Sequence, residues 1–395
     1  MISEKASRIK PSPTLAIDSK YKEMRANGED AVGFGVGEPD FDTPQYIKEA
    51  AIAAMMAGKT KYTAAAGTPE LRKAVADKFL RENGISYKPS QIVVSNGAKH
   101  SLMNTFLAIL DEGDEVLLPS PYWVSYPEMV KLADGVPVVV KTSEKSNFKA
   151  SAKDFEKVLT SKTKAIILNS PSNPTGMVYT EEEIREIADF AVKNDLYVIS
   201  DEVYEHLIYE GKHISIASLG EEIKKRTITI NGASKTYAMT GWRIGYAAAN
   251  DEIAKAMASI QSHGASNPNS IAQAAAVAAL SGGLDEVYKM REEFRKRRDY
   301  FVSAINETDG VSCLKPNGAF YIMMNLDGIL GKSLGSEVIN NADDFARLLL
   351  ESQKVAVVSG TGFDAPNYVR WSYAVDMDSI KKGVERLREF LKMLK

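Results

Sequence analysis

The stretch Asn231–Tyr246 reads NGASKTYAMTGWRIGY and sets Lys235 among small and hydroxyl residues, eight positions before Arg243. A lysine amine with the reference pKa of roughly 10.4 is protonated at neutral pH, and only the neutral amine attacks a carbonyl carbon. Burial or a neighbouring cation lowers that pKa. Arg243 can bind two phosphate oxygens with its planar guanidinium, and the small residues around Ser234 let backbone N–H groups close around the others. The stretch therefore favours a lysine that bonds covalently to an aldehyde carrying an anionic group.

Such an aldehyde suggests pyridoxal 5'-phosphate, and seven further segments strengthen this interpretation. In chain order they are VGEPDFDTP (Val36–Pro44), KYTAAAGTPELR (Lys61–Arg72), SNGAKH (Ser95–His100), PSPYWVSYPEM (Pro119–Met129), NSPSNPTG (Asn169–Gly176), SDEVYE (Ser200–Glu205) and VRWSYA (Val369–Ala374). In this order the segments resemble the class I aminotransferases, the fold-type I pyridoxal-phosphate enzymes. Within that family the chain is most similar to the bacterial aspartate aminotransferases that carry KYxxxxGxPELR. The resemblance covers almost the whole chain, and the agreement of separated segments is more specific than any one of them.

Charge and cysteine content bound the class of protein. The 395 residues carry a formal net charge of -3 with a pI near 6.0, which gives no support to a nucleic-acid-binding surface. The basic run Arg291–Tyr300 is interleaved with acids and predicts a solvated helix face. The single cysteine, Cys313, excludes an intrachain disulfide, fits a reducing compartment and is predicted to lie in the core or on a strand.

Hydropathy along the chain predicts a cytoplasmic enzyme without a membrane segment. The amino-terminal 20 residues hold no uninterrupted apolar region of the kind found in secretory signals. No stretch approaches the roughly 20 apolar residues that a bilayer span requires. No fixed-period repeat and no metal site are predicted.

Six short apolar runs, each rich in β-branched residues, predict strands. They are QIVVS (91–95), DEVLLP (114–119), VPVVV (136–140), KAIILN (164–169), LYVIS (196–200) and TITIN (227–231). Amphipathic segments such as Thr180–Asn194 lie between several of them, and this alternation favours a mostly parallel sheet covered by helices on both faces. Ligands of such sheets bind at the carboxyl ends of the strands, where NSPSNPTG, SDEVYE and NGASK fall.

The resemblance implies two domains of the fold-type I class of pyridoxal-phosphate transferases. The larger α/β domain, residues 46–287, is expected to hold a mostly parallel, seven-stranded type of sheet sandwiched by helices. The region after about 285 begins with a long charged helix and ends in short strands and an amphipathic helix, which predicts a separate α+β domain. The resemblance implies that this smaller domain consists of residues 1–45 and 288–395.

Asp201 follows the apolar run LYVIS, where a buried carboxylate is costly unless a cation pairs with it. A protonated pyridine nitrogen is such a cation, although an aspartate at a helix cap would also explain the position. The resemblance implies that Tyr204 and Asn173 contact the ring hydroxyl of the cofactor and that Trp123 stacks on its ring. From the residues alone, Asn173 is equally explained by a turn and Trp123 by the core.

The phosphate is expected at the turn SNGAKH, because a helix amino terminus presents free N–H groups to an anion. The backbone donors are Gly97, Ala98 and Lys99, although such turns are common. The resemblance adds Tyr62, which in the family reaches the phosphate of the neighbouring subunit. It therefore implies a homodimer with shared active sites.

Arg370, on the strand-like VRWSYA, is either an edge charge or a bidentate clamp for a carboxylate. The resemblance assigns it to the substrate α-carboxylate, assisted by Gly37 and Asn173, with Trp123 also facing substrate.

The distal carboxylate of a dicarboxylic substrate is assigned by resemblance to Lys99, assisted by Thr14 or Ser12. Lys99 is equally explained as a solvated lysine at a helix start. Lys10 is a further candidate contact, and no second arginine for this carboxylate is evident.

These residues predict a ping-pong transfer of the amino group from L-aspartate to 2-oxoglutarate, giving oxaloacetate and L-glutamate. An aminotransferase specific for aromatic amino acids, alanine or prephenate stays open, as does a pyridoxal-phosphate lyase on the same fold. A transcriptional regulator would need an added DNA-binding domain, and a cofactor-free binding protein would lack the yellow colour of the cofactor.

Overall fold

The computed structural model describes residues 2–9, 11 and 13–395, with the backbone alone at residues 13–16 and 18. The amino-terminal region holds two helices and a short strand: α1 (Glu4–Ser7), α2 (Pro13–Ala26) and β1 (Val32–Gly33).

Seven strands form the large sheet. They are β2 (Ile92–Asn96), β3 (Glu115–Ser120), β4 (Val136–Lys141), β5 (Thr163–Asn169), β6 (Tyr197–Asp201), β7 (Thr227–Gly232) and β8 (Ile244–Ala248). Their order is β2-β8-β7-β6-β5-β3-β4, with parallel pairing from β4 to β7 and antiparallel pairing of β8 with both β7 and β2. The predicted mostly parallel α/β sheet is confirmed, and each of the six apolar runs forms a strand. The seventh strand, β8, lies partly inside the lysine segment and was not predicted.

Helices cover both faces of this sheet. They are α3 (Gln45–Met56), α4 (Pro69–Asn83), α5 (Ala98–Ile109), α6 (Ser125–Leu132), α7 (Ala152–Glu156), α8 (Glu181–Lys193), α9 (Glu221–Arg226), α10 (Ala233–Thr236), α11 (Asp251–Gly264) and α12 (Ser270–Ser281). Alternate residues of β5 point to opposite sides, so that Ile166 packs with Ile187 of α8 and Ile167 packs in the core with Phe106 of α5. Thr180, the first residue of the predicted amphipathic segment, caps α8: its hydroxyl accepts from the Glu183 N–H group at 3.3 Å.

The carboxyl-terminal region holds a long helix and a four-stranded antiparallel sheet. Its elements are α13 (Asp285–Asn306), β9 (Ser312–Cys313), β10 (Tyr321–Asn325), β11 (Ser333–Leu334), β12 (Glu337–Val338), α14 (Ala342–Gln353), β13 (Val355–Ala356), β14 (Val358–Ser359), β15 (Tyr368–Ser372) and α15 (Met377–Met393). The sheet order is β14-β15-β10-β9, which sets Arg370 of β15 between Met323 and Val358. Cys313 is buried on β9, as predicted.

The amino-terminal strand pairs with the carboxyl-terminal region. Val32 of β1 lies opposite Val355 of β13 in parallel pairing. The division into residues 46–287 and residues 1–45 with 288–395 stays a prediction, and its second boundary falls inside α13. None of the helices in the described part of the chain combines the length and apolar character needed to cross a bilayer.

The expected solvated face of α13 is wrong for two of its arginines. Arg297 and Arg298 are buried. Arg297 donates to Asp40 at 2.8 Å, and Arg298 donates to Asp299 at 2.7 Å and to the Pro316 carbonyl at 2.8 Å. The long apolar stems of these side chains pack inside the protein. Asp40 and the Pro316 carbonyl, which lie outside the helix, and the neighbouring Asp299 satisfy the charges. The local sequence does not reveal this pairing.

Candidate functional site

A cavity of about 260 Å³ lies where β5, β6 and β7 end, closed on one side by residues of β10 and β15. Eleven of the predicted site residues line it: Gly37, Ala98, Lys99, Trp123, Asn173, Asp201, Tyr204, Ser234, Lys235, Arg243 and Arg370. The cavity therefore gathers residues that are up to 333 positions apart (Gly37 to Arg370).

Lys235 lies on the short helix α10, directly after β7 ends at Gly232. Its Nζ donates a hydrogen bond to the carbonyl oxygen of Gly37. Burial lowers the pKa of Lys235 to about 8, and the positive charges of Arg243 and Arg370 act in the same direction against the opposing charge of Glu38. The amine is therefore much closer to its nucleophilic, neutral form than an ordinary lysine.

Asp201 ends β6 with only 4% of its surface exposed. Burial raises the pKa of its carboxyl to about 6, although the Tyr126 hydroxyl opposes this by donating to Oδ2 at 2.6 Å. A cationic partner in the cavity would stabilise the ionised carboxylate. Tyr126 was not predicted, although it lies in the quoted segment PSPYWVSYPEM. Its ring meets that of Trp123 edge to face, with 5.3 Å between centroids.

Tyr204 is buried and its hydroxyl lies 2.8 Å from the hydroxyl of Tyr321. Burial raises the pKa of both phenols, so both stay protonated and able to donate. Tyr321 opens β10 and was not predicted, because one tyrosine at a strand start carries no local signal of a site.

Arg370 is 1% exposed, so the alternative of an edge charge is wrong. Its guanidinium donates to Asn173 Oδ1 at 2.9 Å and to the Gly35 carbonyl at 2.7 Å, and it lies 4.5 Å from the ring centroid of Tyr321. Its Nε has no hydrogen-bond partner among the described residues. A buried cation without a carboxylate partner is suited to binding an anionic ligand.

Asn169, at the end of β5, fixes the turn that carries Asn173. Its Nδ2 donates to the Asp201 carbonyl at 2.9 Å, and its Oδ1 accepts from the Asn173 N–H group at 2.8 Å. This residue was also missed, although it opens the quoted segment NSPSNPTG. Its amide links the ends of two neighbouring strands.

The amino terminus of α5 also lines the cavity, through Ala98 and Lys99. Gly97 precedes this helix with φ of 86°, and no side chain caps the first turn. Gly97 does not line the cavity itself: the Arg243 guanidinium packs against it so closely that a Cβ there would collide. A Cβ at Gly245 would likewise collide with the backbone of Ala98. Free N–H groups and a guanidinium thus converge on one region, which suits a phosphate group.

Arg243 is exposed and adopts the left-handed conformation with φ of 56°. It donates to the carbonyl oxygens of Thr240 at 2.8 Å and Asn96 at 3.3 Å. Ser234 also lines the cavity.

Lys99 lies at the rim, with its Nζ 4.8 Å from the ring centroid of Trp123. Partial desolvation and then the charge of Arg243 lower the pKa of Lys99. Two cations and an aromatic face therefore border the opening.

Besides Gly97, one predicted residue with a described side chain does not line this cavity. Tyr62 is 90% exposed and lies outside the cavity of its own chain. The side chain of Thr14 lies outside the described residues, as do Ser12 and Lys10.

Comparison with known proteins agrees with this geometry. The family model described as aminotransferase class I and II matches residues 29–387. The aspartate aminotransferase of Bacillus subtilis is 48% identical over 391 residues, covering 99% of this chain and 98% of that protein. A probable aspartate/prephenate aminotransferase of Aquifex aeolicus is 49% identical, covering 99% and 98%. The solved aspartate aminotransferase from Thermus thermophilus with maleate has a TM-score of 0.93 at 44% identity, covering 98% and 99%. The chain belongs to the class I and II aminotransferases.

Proposed function

We propose that this aminotransferase moves the amino group of L-aspartate to 2-oxoglutarate by a ping-pong mechanism that uses pyridoxal 5'-phosphate. The observation that carries the proposal is the setting of Lys235, an amine with a pKa of about 8 in a cavity that also holds Asp201 and Arg370.

The cavity residues fit the cofactor group by group. The buried carboxylate of Asp201 calls for a cation, which a protonated ring nitrogen would supply. The uncapped start of α5, with Ser234 and Arg243, would hold the phosphate. Tyr204 and Asn173 would donate to the ring hydroxyl, and Trp123 would cover the ring. When bound, pyridoxal phosphate supplies the electron sink that stabilises negative charge at the substrate α-carbon.

The protein residues orient the substrate and move its proton. Arg370 would bind the α-carboxylate through its guanidinium, with Asn173 and Gly37 beside it. Lys235 Nζ would accept the proton from the α-carbon. At pH 7 an amine with a pKa of about 8 is roughly one tenth neutral, which is sufficient for this role.

Specificity for aspartate rests on the relatives and on the rim of the cavity. The Bacillus relative is named an aspartate aminotransferase, and the Thermus structure carries maleate, a four-carbon dicarboxylate. In this chain Lys99 would attract the distal carboxylate. The Aquifex relative favours a second candidate, amino transfer to prephenate by the same site.

Lys235→Ala tests the chemistry. We expect it to abolish transamination while leaving a folded protein, since the side chain forms one hydrogen bond to the protein. Lys73→Ala is the matched control, because Lys73 is exposed and pairs with Asp77 on its own helix. Undiminished transamination by the Lys235 variant would refute the proposal.

A panel of amino donors and acceptors tests the specificity. Purified enzyme is mixed with aspartate, glutamate, alanine or phenylalanine, and the bleaching of the visible absorption of the bound cofactor is followed. Rapid bleaching by aspartate and glutamate alone supports the proposal, and parallel double-reciprocal plots support ping-pong kinetics. Amino transfer to prephenate would establish the second candidate. Keto acid formed without an equivalent amino product would instead identify a lyase.

We also propose that the enzyme is a homodimer with shared sites. Tyr62 lies outside the cavity of its own chain, and α3 nearby exposes the apolar side chains of Ile52, Met55 and Met56. Mixed dimers of Lys235→Ala and Tyr62→Ala chains test this, because one of the two sites in such a dimer is free of both substitutions. Activity above that of either parent supports sharing, whereas purely additive activity or a monomer by light scattering contradicts it.

A further inference from the structure

The segment from Asp201 to Glu205 has two faces. Asp201 and Tyr204 line the cavity, whereas Glu202 and Glu205 do not and are nevertheless almost fully buried. Two buried carboxylates behind a catalytic cavity need partners, because an unpaired charge in the interior is strongly unfavourable. One partner of Glu205, Asn231, lies in the segment that carries Lys235.

Glu205 receives three donors. Lys78 of α4 donates to Oε1, Asn83 donates to Oε2 at 2.8 Å, and Asn231 donates to Oε1 at 2.6 Å. Burial is the largest single influence on Glu205 and would raise its pKa, but the charges of Lys78, His206 and His213 and the hydrogen bond from Asn83 together outweigh it and keep the pKa well below its usual value. The Nζ of Lys78 also lies 3.4 Å from Oε2 of Glu82, so a buried lysine within the cluster provides positive charge for both carboxylates. Glu205 is therefore a fixed, ionised acceptor.

Asn231 is the donor that lies on the same chain segment as Lys235. It is 1% exposed, lies on β7 opposite Tyr246, and precedes Lys235 by four residues. Its Oδ1 accepts from the N–H group of Gly232 at 2.7 Å. One side chain thus holds the backbone at the point where β7 turns into α10.

We infer that the hydrogen bond from Asn231 to Glu205 positions Lys235 against Tyr204. Glu205 follows Tyr204 directly, so the bond joins the two chain segments that carry these groups. The inference rests on the proposed role of Lys235. Asn231 and Glu205 are positioning residues that touch neither substrate nor cofactor. A displacement of about 1 Å at a reacting group can cost on the order of 100-fold in rate, so a bond at this turn governs reactivity.

Asn83 provides the matched control. It donates an amide N–H group to the same carboxylate, and it accepts a further bond from Lys78 at 2.8 Å, but it lies at the end of α4 and, among the described residues, makes no direct hydrogen bond to β7. If the cluster only stabilises the fold, loss of the amide of Asn83 or of Asn231 should have the same consequences. A positioning bond predicts that only the loss of Asn231 alters Lys235.

The test measures the reactivity of Lys235 in the apoprotein. Apoprotein is mixed with pyridoxal phosphate, samples are reduced with borohydride at intervals, and the label at position 235 is quantified by peptide mapping. We expect Asn231→Ala to slow labelling by about tenfold or more, as a displaced reacting group requires. Asn83→Ala should label at the wild-type rate, although both variants lower the melting temperature. Equal labelling rates in the two variants overturn the inference.

Further measurements keep the outcome decisive. If Asn231→Ala does not fold, Asn231→Ser replaces it, because a side chain shorter by one bond cannot keep the amide contact. In steady-state assays Asn231→Ala should lower kcat more than it changes KM for the amino donor, whereas an unchanged kcat contradicts the inference. Failure of the wild-type protein to label at Lys235 refutes the proposed function instead, so the two failures are distinguishable.

Discussion

The two arginines of the cavity are held in opposite ways. Arg370 sits on β15, an inner strand of the small sheet, is 1% exposed, and donates to groups from two distant parts of the chain. Arg243 sits in a turn before β8, is exposed, and donates to two backbone carbonyls. The first is fixed before any ligand arrives, and the second is held mainly by its own turn.

The difference distinguishes a position where the orientation of the guanidinium matters for binding from a position where its charge alone is sufficient. A buried guanidinium with fixed partners offers its remaining donors in one orientation, which favours recognition of a planar carboxylate. An exposed guanidinium contributes a charge that solvent and salt partly screen. The same substitution at both positions should therefore have unequal effects.

Arg370→Lys is expected to have the largest effect. Lysine keeps the charge but loses the planar fork and its contacts to Asn173 and Gly35, so kcat/KM for aspartate should fall about 100-fold or more, as for other buried charged contacts. Steady-state kinetics measures this, with Arg185→Lys, an exposed helix arginine, as the control. A loss smaller than a few-fold would remove the distinction between the two arginines.

Arg243→Lys should have a smaller effect. Because the side chain is exposed and a point charge still attracts phosphate, affinity for pyridoxal phosphate should fall by about tenfold or less. Equilibrium dialysis of the apoprotein measures the affinity, and raised salt should narrow the gap from the wild type. If the affinity for pyridoxal phosphate fell by as large a factor as kcat/KM falls in Arg370→Lys, both arginines would act through fixed geometry.

The pH dependence of Lys235 tests the charge of Arg243 separately from its phosphate contact. Because the pKa of Lys235 is about 8, its covalent capture of pyridoxal phosphate in the wild-type apoprotein should accelerate as the pH rises through about 8. Positive charge nearby lowers this pKa, so Arg243→Gln should move the midpoint to higher pH, by less than about one unit because burial is the larger cause. A shift to lower pH would contradict the sign of this interaction.

Lys99→Met is expected to have the smallest effect. Lys99 is exposed at the rim, so its loss should raise KM for aspartate only about three- to fivefold, the range of exposed charge pairs. KM for alanine, which has no distal carboxylate, is the internal control. Equal changes for both donors would assign Lys99 to the cofactor end rather than to substrate.

Residues that follow apolar runs were predictable from the sequence. Asn173, Asp201 and Lys235 each come soon after a β-branched run, and the carboxyl ends of parallel strands meet at one edge, so their convergence in one cavity followed from the pattern. Arg370 needed the family resemblance, because its own segment was equally consistent with an exposed edge.

Contacts between distant segments were not predictable. The bond from Tyr126 to Asp201 and the tyrosine pair of Tyr204 and Tyr321 depend on how strands and helices pack, which no local pattern encodes. Strand β8 was missed because its first residues were interpreted as part of the lysine segment and because it runs against its neighbours. The buried Arg298 was missed for the same reason as the tyrosines, since its partner carbonyl comes from outside its helix.

The close packing at Gly97 and Gly245 limits how this enzyme can be redesigned. A side chain at Gly245 collides with the backbone at the first turn of α5, and a side chain at Gly97 meets the Arg243 guanidinium and must adopt a left-handed φ of 86°. A mutant library aimed at new amino donors should leave these two codons untouched, and it should place its diversity at the open rim around Lys99 and Trp123.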